Sequence, residues 1–180
     1  MATVVFGPRP PELETWLGRR RELGQDRYDE VWEGDHHVVP GPSAEHAFVD
    51  SQLARLLWPR AEQAGLSVTT AFNLGEPDDY RVPDVGVHRN RPSGSFAATA
   101  AMVVEVVSPG CPGDETLAKL TFYAGRGVDE VLIADPALRT VRGWQLQPGL
   151  LGQKSRYEET GRSDLLEVTG AELAAELRWP

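Results

Sequence analysis

Two acidic residues in apolar surroundings mark where this chain could do chemistry. Glu105 lies in MVVEVVSPG, with two valines on each side. On a strand, Val103, Glu105 and Val107 share one face while Val104 and Val106 share the other. A carboxylate there loses several kcal/mol of hydration unless a cationic partner or a reach to solvent replaces the water. Asp84 lies in RVPDVGVH, a second β-type run, with Val82, Asp84 and Gly86 on one face. The small Gly86 is expected to leave open space beside the carboxylate. Two acids on neighbouring apolar strands could supply the hard oxygen ligands that Mg²⁺ or Mn²⁺ takes, leaving positions for water and a phosphate oxygen.

A third residue, Lys119 in DETLAKLTFY, falls on the flank of a helix expected over residues 114–124, whose buried face is read as Leu117, Leu120 and Ala124. From there it could reach the sheet edge. The spacing alone favours a surface pair with Glu115 at i,i+4, contributing roughly 0.3–0.5 kcal/mol. His46 opens a helix, a position that is more often structural, and His36 and His37 have no partner spacing that reads as a zinc site. A GxxxxGK[ST] phosphate loop and a G-x-S-x-G nucleophile elbow are both absent, which argues against an NTPase and a serine hydrolase.

The elements that must position these residues follow from periodicity and breakers. Leu13 to Leu23 reads as a helix with Leu13, Trp16, Leu17 and Leu23 apolar. Tyr28 to Val39 reads as two strands turning at Gly34-Asp35. After Pro40-Gly41-Pro42, Ser43 is expected to cap a helix carrying Phe48, Val49, Leu53, Leu56 and Leu57, which Pro59 kinks or ends. Strands are expected at Ser67 to Leu74 and Arg81 to His88, a mobile loop at Arg89 to Ala97, and a strand covered on both faces at Ala101 to Val107. Val131 to Ala134 and Thr140 to Leu146 should pair, with a strand near Leu165 to Val168 and a helix from Ala171 to Leu177. Without strict βαβ alternation, the pattern favours α+β with a mixed central sheet.

Length and charge bound the function. The 180 residues suit one domain, with no internal boundary in sight. No apolar run approaches the roughly 20 residues that span a bilayer. No secretory signal is visible, and the single Cys111 cannot form an internal disulfide, so a cytoplasmic setting is expected. A formal net charge of −9 sits awkwardly with general nucleic-acid binding, although Arg81, Arg89 and Arg91 lie close in sequence to the acids.

Taken together, Pro83-Asp84, Glu105 in its V-E-V-x-S-P segment, Lys119 and Tyr123 ahead of Gly127-Val128, and the strand VLIADP resemble the Uma-two family, a group of restriction-endonuclease-type proteins in the PD-(D/E)XK superfamily. The stretch DEVWEGDHHVVPGPSAEH resembles that family's N-terminal pattern of an acid-bearing strand, a Gly turn, a Ser-Pro loop and a His opening the helix. The resemblance spans roughly residues 28–146. It implies an α+β, restriction-endonuclease-like core with a mixed central β-sheet flanked by helices, within a single domain over 1–180. It also implies a metal site of Asp84, Glu105 and the Val106 carbonyl for Mg²⁺ or Mn²⁺, with Glu30 as an additional acid. In the superfamily motif the lysine stands two residues after the second acid, where this chain has Val107. The resemblance implies that Lys119 takes its place. The activity implied is metal-dependent hydrolysis of DNA phosphodiester bonds, by a homodimer and with no membrane involved. The alternatives are a non-catalytic binding module of the same fold, or a hydrolase of another phosphate-containing substrate.

Overall fold

A computed structural model describes residues 4–6, 11–108, 113–149 and 153–180. In chain order the elements are β1 (Val4–Phe6), α1 (Pro11–Glu22), β2 (Glu30–Trp32), β3 (Asp35–Val38), α2 (Ala44–Gln63), β4 (Ser67–Thr70), β5 (Asn73–Glu76) and β6 (Asp79–Arg81). They continue with β7 (Val85–His88), β8 (Phe96–Ala97), β9 (Met102–Val106), α3 (Gly113–Gly125), β10 (Glu130–Asp135) and β11 (Thr140–Gln147). The last are β12 (Arg156–Glu159), β13 (Arg162–Ser163), β14 (Val168–Thr169) and α4 (Gly170–Glu176).

The main sheet runs β12-β11-β10-β9-β7-β4. Its centre is the parallel pair β9 and β10, joined through α3, and the remaining pairings are antiparallel. This is the mixed central sheet expected from the lack of strict βαβ alternation. β9 is buried along its whole length because both faces are covered. One face packs Val85, Val87, Met102, Val104, Val106 and Leu132 against Val49, Leu53 and Leu57 of α2 and Leu173 of α4. The other face packs Val103, Val131 and Ile133 against Tyr123 of α3 and Leu74 of β5. With helices on both faces of the main sheet, the fold is α+β and restriction-endonuclease-like.

A second sheet, β1-β3-β2-β6-β5-β8, holds the N-terminal hairpin. Its β2–β3 turn is Glu33-Gly34, both at positive φ (51° and 94°), the two-residue geometry whose twist matches the strands it joins.

Two predicted strands are each divided between the sheets. Ser67 to Leu74 supplies β4 to the main sheet and then crosses at Ala71, φ 44°, into β5 of the second. Arg81 to His88 crosses back, leaving β6 at Arg81 and entering β7 at Val85. Pro83, with no N–H to offer a ladder, sits in that crossing. Asp84 therefore lies at the mouth of β7 and not within a strand. Nor does Gly86 leave open space: a side chain there would collide with the ring of Phe72 and with His88.

Helix readings shift in register more than in existence. Ser43 caps α2, accepting from the His46 N–H at 3.2 Å. The helix runs through Pro59 to Gln63 without ending there. In α1 only Leu17 is buried, while Trp16 and Leu23 are exposed. In α3, Leu117 is exposed and Tyr123 is fully buried, so the inward face is rotated from the one expected. The expected loop at Arg89 to Ala97 contains β8, paired in parallel with β5. The strand expected near Leu165 is confined to β14, which pairs with β13. Cys111 and the side chain of Glu115 lie outside the described residues. Among the described residues no helix is long and apolar enough to cross a membrane.

Candidate active site

β7 and β9 run antiparallel in the register Val85↔Val104, which puts Asp84 beside the C-terminal end of β9. There Asp84 replaces the missing ladder partner: its Oδ2 accepts from the Val106 N–H at 2.7 Å. Because N–H and C=O of one strand residue point the same way, the Val106 carbonyl lies on the same edge, past the last β7 pairing. The other Asp84 oxygen, Oδ1, is 2.8 Å from His46 Nε2, and His46 Nδ1 is 2.9 Å from Ser108 Oγ. The Ser43 cap fixes the first turn of α2 and so holds this imidazole over the carboxylate. Burial alone would lower the His46 pKa, but the hydrogen bond to Asp84 and the negative charges of Asp84, Asp50 and Glu105 outweigh it and raise it.

Glu105 faces the α3 side of the sheet and is 5% exposed. It meets Lys119 Nζ at 3.1 and 3.2 Å and accepts the Tyr123 hydroxyl proton. Lys119 and Tyr123 are four residues apart, so one face of α3 delivers both. The same ammonium is 2.8 Å from Glu30 Oε1. Glu30 is itself held by the Val82 N–H at 2.9 Å and by Trp32 Nε1 at 2.8 Å. Lys119 thus forms a buried bridge between Glu105 and Glu30. Burial would lower the Lys119 pKa, but Glu105 and Glu30 overcome it and hold the ammonium charged well above its ordinary value. For Glu105 burial dominates, and with Asp84 and Glu30 nearby it pushes the carboxyl up to about 7 against the pull of Lys119.

Glu30, His46, Asp84, Glu105, Val106 and Lys119 all line one cavity of about 240 Å³. Three carboxylates, one ammonium and the imidazole of His46 thus face one another in the cavity. Among the described residues no group of three or more His, Cys, Asp or Glu side chains is placed to hold a metal ion. The donor set nevertheless fits a hard divalent cation of the magnesium kind. Such an ion takes one or two carboxylates and completes its shell with water and phosphate oxygens, and here Asp84, Glu105 and the Val106 carbonyl would hold it.

A family profile described as "Putative restriction endonuclease", Uma2, matches residues 11–177. The chain belongs to the Uma2 family. A crystal structure titled as a "putative nuclease belonging to DUF820" from Anabaena variabilis resembles this Uma2 chain with a TM-score of 0.62 and 14% identity, over 82% of this chain and 90% of that one. That likeness speaks for the fold. A structure titled "cryoEM structure DrdV-DNA complex" aligns with a TM-score of 0.40 and 17% identity, over 87% of this chain and 13% of that one, too weak to speak for fold or function. No curated protein matches.

Of the other histidines and arginines singled out in the sequence, His37 alone joins the cavity. His36 is buried against Asp29 at 3.4 Å, in a cluster with Arg20 on the opposite face of β3. His37 stacks on Trp32, ring centroids 4.7 Å apart, and lines the cavity. Arg81 is sandwiched between Trp32 and Phe122 at 4.3 and 4.1 Å. Arg89 pairs with Asp129 at the far end of the main sheet from Asp84. Closeness in sequence to the acids therefore does not put these arginines at the cavity. The His46–Asp84 contact and the orienting role of Trp32 carried no readable signal. Tyr123 did carry one, in its i,i+4 spacing from Lys119.

Proposed function

We propose that this Uma2 protein is a metal-dependent endonuclease that hydrolyses DNA phosphodiester bonds at the cavity between β9, β2 and α3. The observation that carries the reading is the convergence of Asp84, Glu105 and Lys119, from the mouth of β7, from β9 and from α3, on one cavity. The chemistry supplied by a bound Mg²⁺ or Mn²⁺ is polarisation of a phosphate oxygen and acidification of a nearby water. Lys119, aimed by Glu30 and Glu105, sets positive charge where negative charge grows on the phosphoryl oxygens in the transition state. His46 and the Val106 N–H fix both oxygens of Asp84, so the carboxylate does not need to reorganise. Tyr123 does the same for Glu105, and Glu30 holds Lys119 in place or orients the attacking water.

The same reading takes residues 1–180 as one domain acting in the cytoplasm, and a homodimer as the form that cuts both strands. Isothermal titration of Mg²⁺ and Mn²⁺ into wild type and the Asp84→Ala/Glu105→Ala double variant tests it, followed by cleavage of supercoiled plasmid. Metal uptake and nicking by wild type alone are expected. If wild type neither binds metal nor cleaves, the non-catalytic binding module replaces the nuclease.

A further inference from the structure

The cavity has a second character besides its carboxylates. Its wall is aromatic: Tyr28, Trp32 and His37 line it together, with Val39, Pro40 and Val82 closing the apolar side. Trp32 and His37 stand on the same face of the β2–β3 hairpin as Glu30, since the register pairs Glu30 with His37. Their rings lie face to face in nearly parallel planes, 19° apart, and the indole is locked by its hydrogen bond to Glu30. This is a preformed stack, with one of its members hydrogen-bonded to the acid that holds Lys119. At about 240 Å³ the cavity falls below the roughly 300–1,000 Å³ typical of drug-sized ligands, which suits one ring system and not a longer fragment.

Cations near the cavity are already committed. Lys119 bridges Glu30 and Glu105, Arg81 lies between two rings, and Arg126 is paired with Glu76 and Asp79. With a net charge of −9 as well, the site is poorly supplied for tracking the phosphates of an intact duplex. Stacking is the attraction that remains, and it needs an unpaired base.

We propose that the cavity receives an unstacked nucleobase, stacked on the face of His37 turned away from Trp32 with Tyr28 on the same wall, so that the preferred substrate is a single-stranded or locally unpaired nucleic acid. The inference rests on the nuclease reading for its scissile phosphate but not for the binding of the base. Stacking places the base in the apolar half of the cavity and its adjoining phosphate toward Lys119 and the two metal-binding acids.

The test is binding, without added metal, of a fluorescein-labelled oligothymidylate strand, an abasic strand of equal length, the strand's duplex with oligoadenylate, and oligouridylate. Wild type should prefer the base-bearing single strands over the abasic strand and the duplex, and the two single strands separate a DNA from an RNA preference. His37→Ala and Tyr28→Ala should each weaken single-strand binding by about 5- to 150-fold, the span seen at base-stacking side chains, while leaving abasic binding unchanged. Tyr28→Phe should retain wild-type affinity, which excludes misfolding as the cause. Equal affinity for abasic, duplex and base-bearing strands, or no effect of both alanine substitutions, overturns the proposal. Base-dependent binding without metal-dependent cleavage upholds the pocket and sinks the nuclease. Duplex cleavage without base-dependent binding does the reverse.

Discussion

Glu105 and Glu130 occupy neighbouring parallel strands, and both are almost fully buried, at 5% and 4% exposure. Their surroundings differ in kind. Glu130 is at the start of β10, where it accepts from Ser163 Oγ at 2.5 Å and from the backbone N–H groups of Asp164 and Leu165 at 2.9 and 3.0 Å. Neutral donors satisfy it completely, and it fixes the turn that leads into β14. Glu105, at the other end of β9, is held by a shared ammonium and a phenol and opens on a cavity with two further acids. An acid buried in an apolar strand is therefore no marker of a site by itself. What separates the two is whether the compensating groups are a shared charge beside a cavity or neutral donors within a turn.

The largest effect that sharpens this contrast is expected at Lys119. Lys119→Met leaves Glu30 and Glu105 facing each other without their cation, a loss of roughly 3–5 kcal/mol. A thermal melt should show Tm lowered by about 6–20 °C, with millimolar Mg²⁺ restoring part of the loss. Glu130→Gln removes a charged acceptor from three donors and should cost about 1.5–3 kcal/mol. Mg²⁺ should give no rescue there, and metal titration should match wild type. Glu105→Gln should reverse that pattern. Its carboxyl is already pushed up to about 7 and Lys119 keeps Glu30, so stability should hold within about 1 kcal/mol while metal binding disappears. Equal metal loss in both glutamate variants would erase the distinction.

The smallest effect concerns Asp50, one turn beyond His46. Its Oδ1 is buried with no hydrogen-bond partner among the described residues, and burial, with Asp84 adding, raises its carboxyl to about 6. Between pH 4 and 6 the folded chain then holds a proton that the unfolded chain has released, so this residue's contribution to stability falls as pH rises through that window. Asp50→Asn should flatten that slope. Because the group is partly solvated, the gain at pH 7 is about 1 kcal/mol, readable as a rise in Tm of about 2–4 °C.

The long apolar run of β9 was legible in the sequence because a strand covered on both faces needs no alternation to be seen. Ser43 was legible because a cap is a local device. What escaped was the allocation of strands to sheets. Alternation over Ser67 to Leu74 reports that the chain is extended, but not that Ala71 turns it out of one sheet and into another. The family resemblance pointed to Lys119, but the spacing missed its two buried partners for a related reason. Helix faces are read from apolar residues, and a lysine neutralised by two buried acids looks, in one dimension, like a solvated one. Glu30 is far from the other acids in the chain, and only the family resemblance pointed to it.

The two crossings between the sheets run side by side, and one hydrogen bond ties them: the Ala71 N–H donates to the Asp84 carbonyl at 3.0 Å. That bond joins the chain's exit from β4 to its entry into β7, at the residue whose side chain faces the cavity. The bond carries the β4–β7 ladder one step past Thr70↔Val85, to the point where both segments leave the main sheet. Deuterium uptake at the single Ala71 amide thus becomes a clock for how often this end of the β4–β7 ladder opens beside Asp84.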